Sequence, residues 1–195
     1  VFSLSPISGQ KQIFQGIKAD FTSSAVFIKE VNIMKYISTR GGCEPCSSAQ
    51  AIKQGLAGDG GLFLPDRMPE LSDQTLKELC ACDYPTRGAK VLYMFLNDDY
   101  TYDELLSDCK EAYSEAGFPG GPAPISSIGD NIRVLELWHG PTSAFKDMAL
   151  QIMPRLFSRA IKKTNDKRQA LILVATSGDT GKAALEGYRD IDGVR

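Results

Sequence analysis

The sequence predicts an α/β protein in which a helix-rich first half leads into the start of a parallel sheet, and two observations carry that reading. Beyond residue 131, apolar strand patterns at 132–137 and 170–175 alternate with helix patterns, the order that sets strands parallel with helices across them. Before it, helical spacings dominate up to residues 117–124 (GFPGGPAP), whose glycines and prolines forbid regular structure and mark a linker. The expected organisation is therefore an extension over 1–33, a helix-rich domain over 34–120, and a second domain begun over 121–195.

Composition bounds the function. The chain has 195 residues, 43% hydrophobic and 24% charged, enough for one large or two small folded domains. Its 22 Lys and Arg against 24 Asp and Glu leave a net charge of −2, so no strong field draws it to nucleic acid or anionic lipid. The longest apolar run, 170–175, falls far short of the ~20 residues that span a bilayer. The first basic residue is Lys11, unlike a secretory leader, so a cytoplasmic location is expected. Five cysteines (Cys43, Cys46, Cys80, Cys82, Cys109) read as thiols, and no metal site is expected: Cys80 and Cys82 are too close for the usual zinc spacing, and His139 is the single histidine.

Taken in order, residues 25–28 form a possible strand inside an opening segment with no sustained period, and Met34 begins a polar, glycine-rich stretch. Residues 47–54 have helical composition with Gly55 as the stop, and Gly58-Asp59-Gly60-Gly61 is a turn before Leu62-Phe63-Leu64-Pro65. Two more helices are expected between Ser72 and Gly117. One rests on Leu71, Thr75, Leu76 and Leu79 at helical spacing, the other on the capping-box pair Thr101 and Glu104. After the linker, 132–137 reads as a buried strand. A helix from Phe145 or Asp147 presents Leu150, Met153, Leu156, Phe157, Ala160 and Ile161 on one face, with Pro154 kinking it or limiting its first turns. Residues 170–175 are a continuous apolar strand, 176–181 a tight turn, and 182–188 the start of another helix.

Two constellations carry chemistry. The turn Thr176-Ser177-Gly178-Asp179-Thr180-Gly181 joins a strand to a helix start, where backbone N–H groups and the helix N-terminus accept an anion; the plainer alternative is a βα connection capped by Asp179 or Thr180. Gly181-Lys182 resembles the end of a phosphate-binding P-loop, but Thr176 and Ala183 stand where that loop needs glycine and a hydroxyl, which argues against a nucleoside triphosphate. In the second constellation, residues 138–147 (WHGPTSAFKD), Lys146 follows an aromatic at a helix entrance. A partly desolvated lysine there suits Schiff-base chemistry with an aldehyde cofactor; the plainer alternative is a solvated lysine paired with Asp147. His139 is assigned no role.

Four segments occur in one order: 36–41 (YISTRG), 55–65 (GLAGDGGLFLP), 136–147 (ELWHGPTSAFKD) and 175–181 (ATSGDTG). Together they resemble threonine synthases, from about Met34 to the end of the chain. The resemblance implies a pyridoxal-phosphate enzyme of fold type II that converts O-phosphohomoserine and water to L-threonine and phosphate. It implies that Lys146 holds the cofactor as a Schiff base and moves protons at the substrate carbons, that Phe145 and Asp179 lie beside the cofactor, and that Ser177, Gly178, Thr180 and Gly181 receive the substrate carboxylate. The family's later cofactor-phosphate loop has no counterpart here. The expectation is thus an N-terminal portion with an incomplete sheet and little turnover by itself. A phospho-lyase that omits water addition, or a non-catalytic binding module, are the alternatives, and the oligomeric state is left open.

Overall fold

A computed structural model describes residues 33–176 and 178–195; the strand expected at 25–28 and the bulk of the 1–33 extension lie outside the described residues, as does Ser177. The described elements run β1 (Tyr36–Ser38), α1 (Ser48–Gln54), β2 (Phe63–Pro65), α2 (Asp73–Ala81), α3 (Tyr84–Leu96), α4 (Tyr102–Ala112), β3 (Ile125–Ile128), β4 (Ile132–Leu135), α5 (Asp147–Leu150), α6 (Met153–Lys163) and α7 (Asp179–Gly187). No helix among the described residues is long and apolar enough to cross a membrane.

Local chemistry sets most helix starts. Ser47 and Gln50 form a capping box at α1, Thr101 and Glu104 another at α4, while Ser72 caps α2 and Asp83 caps α3. Gly55 ends α1 at φ 74°, a conformation natural to glycine. The region 72–117 holds three helices rather than the two expected. The third, α3, begins with Pro85 in its first turn, where a missing N–H costs nothing. Its Gly88 faces α4, and a Cβ there would stand 3.4 Å from Cys109 Sγ.

Buried residues of α3 (Ala89, Leu96), α4 (Leu105, Cys109, Ala112) and α6 (Leu156, Ala160) form one core with Ala49, Tyr100 and Ile152. Its few polar groups are matched. Tyr100 Oη donates to Leu156 O at 2.9 Å, and Arg159 grips the buried Asp108 through two bonds of 2.6 and 2.8 Å. The start of α1 is held by the α3–α4 turn, where Asp99 accepts from Ala49 N at 2.8 Å and Asp98 accepts from Ser48 N and Oγ. Burial, and then the neighbouring Asp108, push the Cys109 thiol up to about 12. At about pH 8 its thiolate fraction is on the order of one in 10⁴. Iodoacetamide is therefore expected to modify the exposed Cys80 in the native protein and to reach Cys109 only on unfolding; native alkylation of both at similar rates would contradict this core.

β1 and β2 pair antiparallel, Tyr36 opposite Pro65 and Ser38 opposite Phe63. Their connecting loops are tied by Asp59, whose carboxylate accepts from Ser38 Oγ (2.7 and 2.8 Å), Gly42 N (2.8 Å) and Gly61 N (2.9 Å). The Ser38 hydrogen bond, above all, holds this carboxyl below its ordinary range. The glycine-rich turn at 58–61 is thus backbone geometry, as expected from its composition.

The second half departs from expectation in two places and agrees with it at Pro154. Residues 132–137 are not a buried strand: β4 ends at Leu135 and pairs antiparallel with β3, which the sequence pattern did not reveal, and Ile132 and Leu135 are exposed. A two-stranded ribbon has two open faces, and apolar content alone does not bury it. The helix expected from Phe145 or Asp147 onward is interrupted as its Pro154 implied, divided at Gln151 and Ile152 into α5 and α6 because Pro154 has no N–H for Leu150 O. Residues 170–175 are not a continuous strand: their parallel pairing is limited to Ala170 against Val194 and the bonds around it, Ala170 N to Gly193 O, Arg195 N to Ala170 O and Ile172 N to Arg195 O, of 2.7–3.0 Å. A ladder needs a neighbour for each N–H and C=O, and among the described residues only 193–195 supply one. Parallel pairing with 193–195 agrees with the strand order read from the sequence. Residues 117–124 contain turns at Gly120 and Gly121, and bury Phe118 fully against Tyr113.

Candidate functional site

Lys146 stands at the entrance to α5 in helical conformation, φ −66° and ψ −21°. It is half-buried, and its Nζ lies 4.5 Å from the centre of the Phe145 ring. The sequence left open a pairing with Asp147; the structure removes it. Asp147 is fully buried, with its carboxylate turned back into the loop, where Oδ1 accepts from Thr142 Oγ1 (2.7 Å) and Oδ2 from Thr142 N (2.8 Å) and Ala144 N (3.4 Å). Among the described residues Lys146 forms no ion pair. A lysine amine held without a carboxylate partner is sterically and chemically open to a carbonyl electrophile.

The turn at 176–181 is organised by Thr176, whose hydroxyl accepts from Gly181 N at 2.9 Å and Gly178 N at 3.3 Å. Neither Asp179 nor Thr180 caps α7; the N-cap residue is Gly178, at φ 138°, and makes no side-chain cap bond. Thr176 therefore does the work that a capping side chain would have done, and the N–H groups of Gly178 and Gly181 are already committed. The N–H groups of Asp179 and Thr180, and the Thr180 hydroxyl, make no hydrogen bond among the described residues, and N–H groups at a helix start are of the kind that bind anions. Gly181 is needed for close approach, because a Cβ would stand 2.8 Å from Thr176 Oγ1. Asp179 is exposed and lies 3.5 Å from Lys182.

No hydrogen bond or ion pair joins Lys146 to Gly178, Asp179, Thr180 or Gly181 among the described residues. The two loops are coupled through backbone instead. α5 packs on α7, and Gly187 sits so close to Leu150 that a Cβ would be 1.9 Å from its carbonyl oxygen. Tyr113 Oη donates to Met148 O at 2.8 Å, tying α5 to the first half of the chain. His139 lies outside this arrangement, with its Nε2 2.6 Å from Glu136 Oε2 and its ring stacked on Trp138. Hydrogen bonds from Ser126 and then His139 hold the Glu136 carboxyl below its usual range. Sequence reasoning missed Thr142, Asp147 and Thr176, whose side chains shape both loops. The available signal was the short interval between partners, five residues from Thr142 to Asp147 and five from Thr176 to Gly181.

A family model described as Threonine synthase N terminus matches residues 35–113. Threonine synthase of Schizosaccharomyces pombe is 38% identical over 163 residues, 80% of this chain and 32% of that protein. Human threonine synthase-like 1 is 38% identical over 170 residues, 82% of this chain and 22% of that protein. Among solved structures, PLP-bound threonine synthase from Brucella melitensis superposes with a TM-score of 0.76 at 35% identity, covering 83% of this chain and 34% of that one. The chain thus spans about a third of the length of the threonine synthases it matches.

Proposed function

We propose, from the premise that this chain is a homologue of threonine synthases along their N-terminal third, that it supplies the lysine-bearing part of a pyridoxal-phosphate enzyme. The reaction is conversion of O-phosphohomoserine and water to L-threonine and phosphate, on a fold-type-II scaffold in the cytoplasm. The observation that carries this reading is the Lys146 amine, half-buried on the Phe145 ring and released from its neighbouring carboxylate. The helix-rich part over 34–120 frames the site, and the part over 121–195 contributes its lysine and its anion loop.

The residues present fit the cofactor. Lys146 Nζ would hold its aldehyde carbon as a Schiff base, with Phe145 alongside and Asp179 near its 3′ oxygen. Pyridoxal phosphate, when bound, supplies an electron sink that makes the substrate Cα–H acidic. Lys146 Nζ would take the proton from the substrate Cα and return protons along the carbon chain, the proton transfers that departure of phosphate from Cγ and entry of water at Cβ require. The free N–H groups of Asp179 and Thr180, with the hydroxyls of Thr180 and Ser177, receive the substrate carboxylate. Gly178 and Gly181 serve this loop through conformation and close approach.

Borohydride reduction of the chain with pyridoxal phosphate, followed by peptide mass mapping, tests the reading. One dominant adduct at Lys146, lost in Lys146→Ala, is the expected result. Labelling scattered over the lysines would reject it. A relative named threonine synthase-like 1 matches this chain at the same 38% identity as the Schizosaccharomyces pombe threonine synthase, and the second reading, to be separated from the first, is elimination of phosphate without water addition. Threonine as product supports the first reading and 2-oxobutyrate the second.

A further inference from the structure

We infer that Asp147 is a positioning residue for Lys146: its buried carboxylate closes the loop 140–144 on the start of α5 and so determines where the lysine amine stands. The inference rests on the reading of Lys146 as the cofactor-bearing lysine and adds a residue to it.

A fully buried carboxylate is retained only where its acceptors are filled, and Asp147 fills both oxygens from the loop immediately before it. Thr142 is held twice, by its N–H and its hydroxyl, and Ala144 N is directed at Oδ2. The loop reaches this geometry through two special positions. Ser143 takes φ 55°, and Gly140 lies where a Cβ would be 2.5 Å from both Asp147 Cβ and Oδ2. On the other side, Lys146 O accepts from Ala149 N at 3.1 Å and Leu150 N at 2.9 Å, and Met148 O accepts from Tyr113 Oη. The backbone of Lys146 is therefore fixed from before by the Asp147 carboxylate and from after by α5. Only the lysine's own side-chain torsions are left to place Nζ, and the Phe145 ring limits those. The same contacts withhold the adjacent carboxylate from the amine, so one side chain both aims the lysine and leaves it unpaired.

The discriminating variant is Asp147→Asn. The asparagine oxygen can accept from the Thr142 and Ala144 N–H groups while its NH₂ donates to Thr142 Oγ1, so the loop closes without the charge. Asp147→Ala removes every contact, and Thr142→Val removes the hydroxyl alone. Two readouts follow. In trace acetylation with acetic anhydride, needing no cofactor, the reactivity of Lys146 relative to the exposed Lys167 is expected to change several-fold in Asp147→Ala and to match the parent in Asp147→Asn. In borohydride fixation of pyridoxal phosphate, the share of label on Lys146 is expected to fall by about tenfold or more in Asp147→Ala, by a few-fold in Thr142→Val, and to be kept in Asp147→Asn, since displacing a reacting group by about 1 Å costs up to ~10²-fold. Unchanged acetylation and label in Asp147→Ala would overturn the inference, as would equal loss in Asp147→Asn. Should Asp147→Ala fail to fold, retention in Asp147→Asn with the partial loss in Thr142→Val supports the inference, and an unaffected Thr142→Val overturns it. Absence of a Lys146 adduct in the parent chain would reject the functional reading, and the acetylation ratios would still decide the role of Asp147.

Discussion

Gly187→Ala is expected to destabilise the protein by about 3 kcal/mol, the upper part of the range for inserting a methyl into a closed contact. The sign is the informative part. Glycine within a helix is less favourable than alanine by roughly 0.5–1 kcal/mol, so local propensity predicts that the substitution stabilises α7. Tertiary geometry predicts the reverse, because the new Cβ would meet Leu150 O at 1.9 Å and Leu150 C at 2.9 Å. Both are backbone atoms and no side-chain rotation relieves them, so α5 and α7 must move apart. Since α5 carries Lys146 at its start, the share of pyridoxal phosphate fixed at Lys146 is expected to fall with stability. Urea unfolding of the parent and variant chains measures the first effect, and a more stable Gly187→Ala protein would show that the two helices do not meet as described.

Leu105→Ala is expected to cost about 2–5 kcal/mol, the range for emptying a fully buried leucine site. Leu105 is wholly inaccessible and belongs to the cluster in which α4 meets Ala89 and Leu96 of α3 and Leu156 and Ala160 of α6. Against a typical total stability of about 5–15 kcal/mol, that loss leaves a narrow margin. Collapse into the cavity is resisted because Tyr100, in the same cluster, is anchored through its Oη to Leu156 O. The measurement is the denaturant midpoint at unchanged slope. A shift equivalent to less than about 1 kcal/mol would mean that this core is not closely packed.

Much of the first half was legible because its signals are short. Thr101 and Glu104 announce α4 by a capping box that closes within four residues, and Gly55 announces the end of α1. The helix that was overlooked, α3, carries Pro85 and Gly88, which count against a helix when propensities are summed. Pro85 is harmless in the first turn, and Gly88 is required by the approach of α4 near Cys109, which no window around residue 88 contains. The position of Lys146 at a helix entrance was legible from the residue pattern. The charge state of its surroundings was not, since whether Asp147 faces Lys146 or Thr142 depends on the path of the intervening loop.

By itself, then, the sequence determined most helix starts and stops and the turn at 58–61, and carried in four ordered segments the resemblance to threonine synthases. All of these follow from interactions spanning a few residues, where residue type and spacing suffice. Tertiary structure alone decided that Asp147 turns inward, that Thr176 rather than Asp179 or Thr180 organises the head of α7, that β4 pairs with β3 at the surface, and that Gly187 admits the backbone of Leu150. Each of these depends on where one backbone segment passes another, and such approaches are set by close packing and by the filling of buried hydrogen-bond acceptors across the fold, not by the propensities of neighbours in sequence.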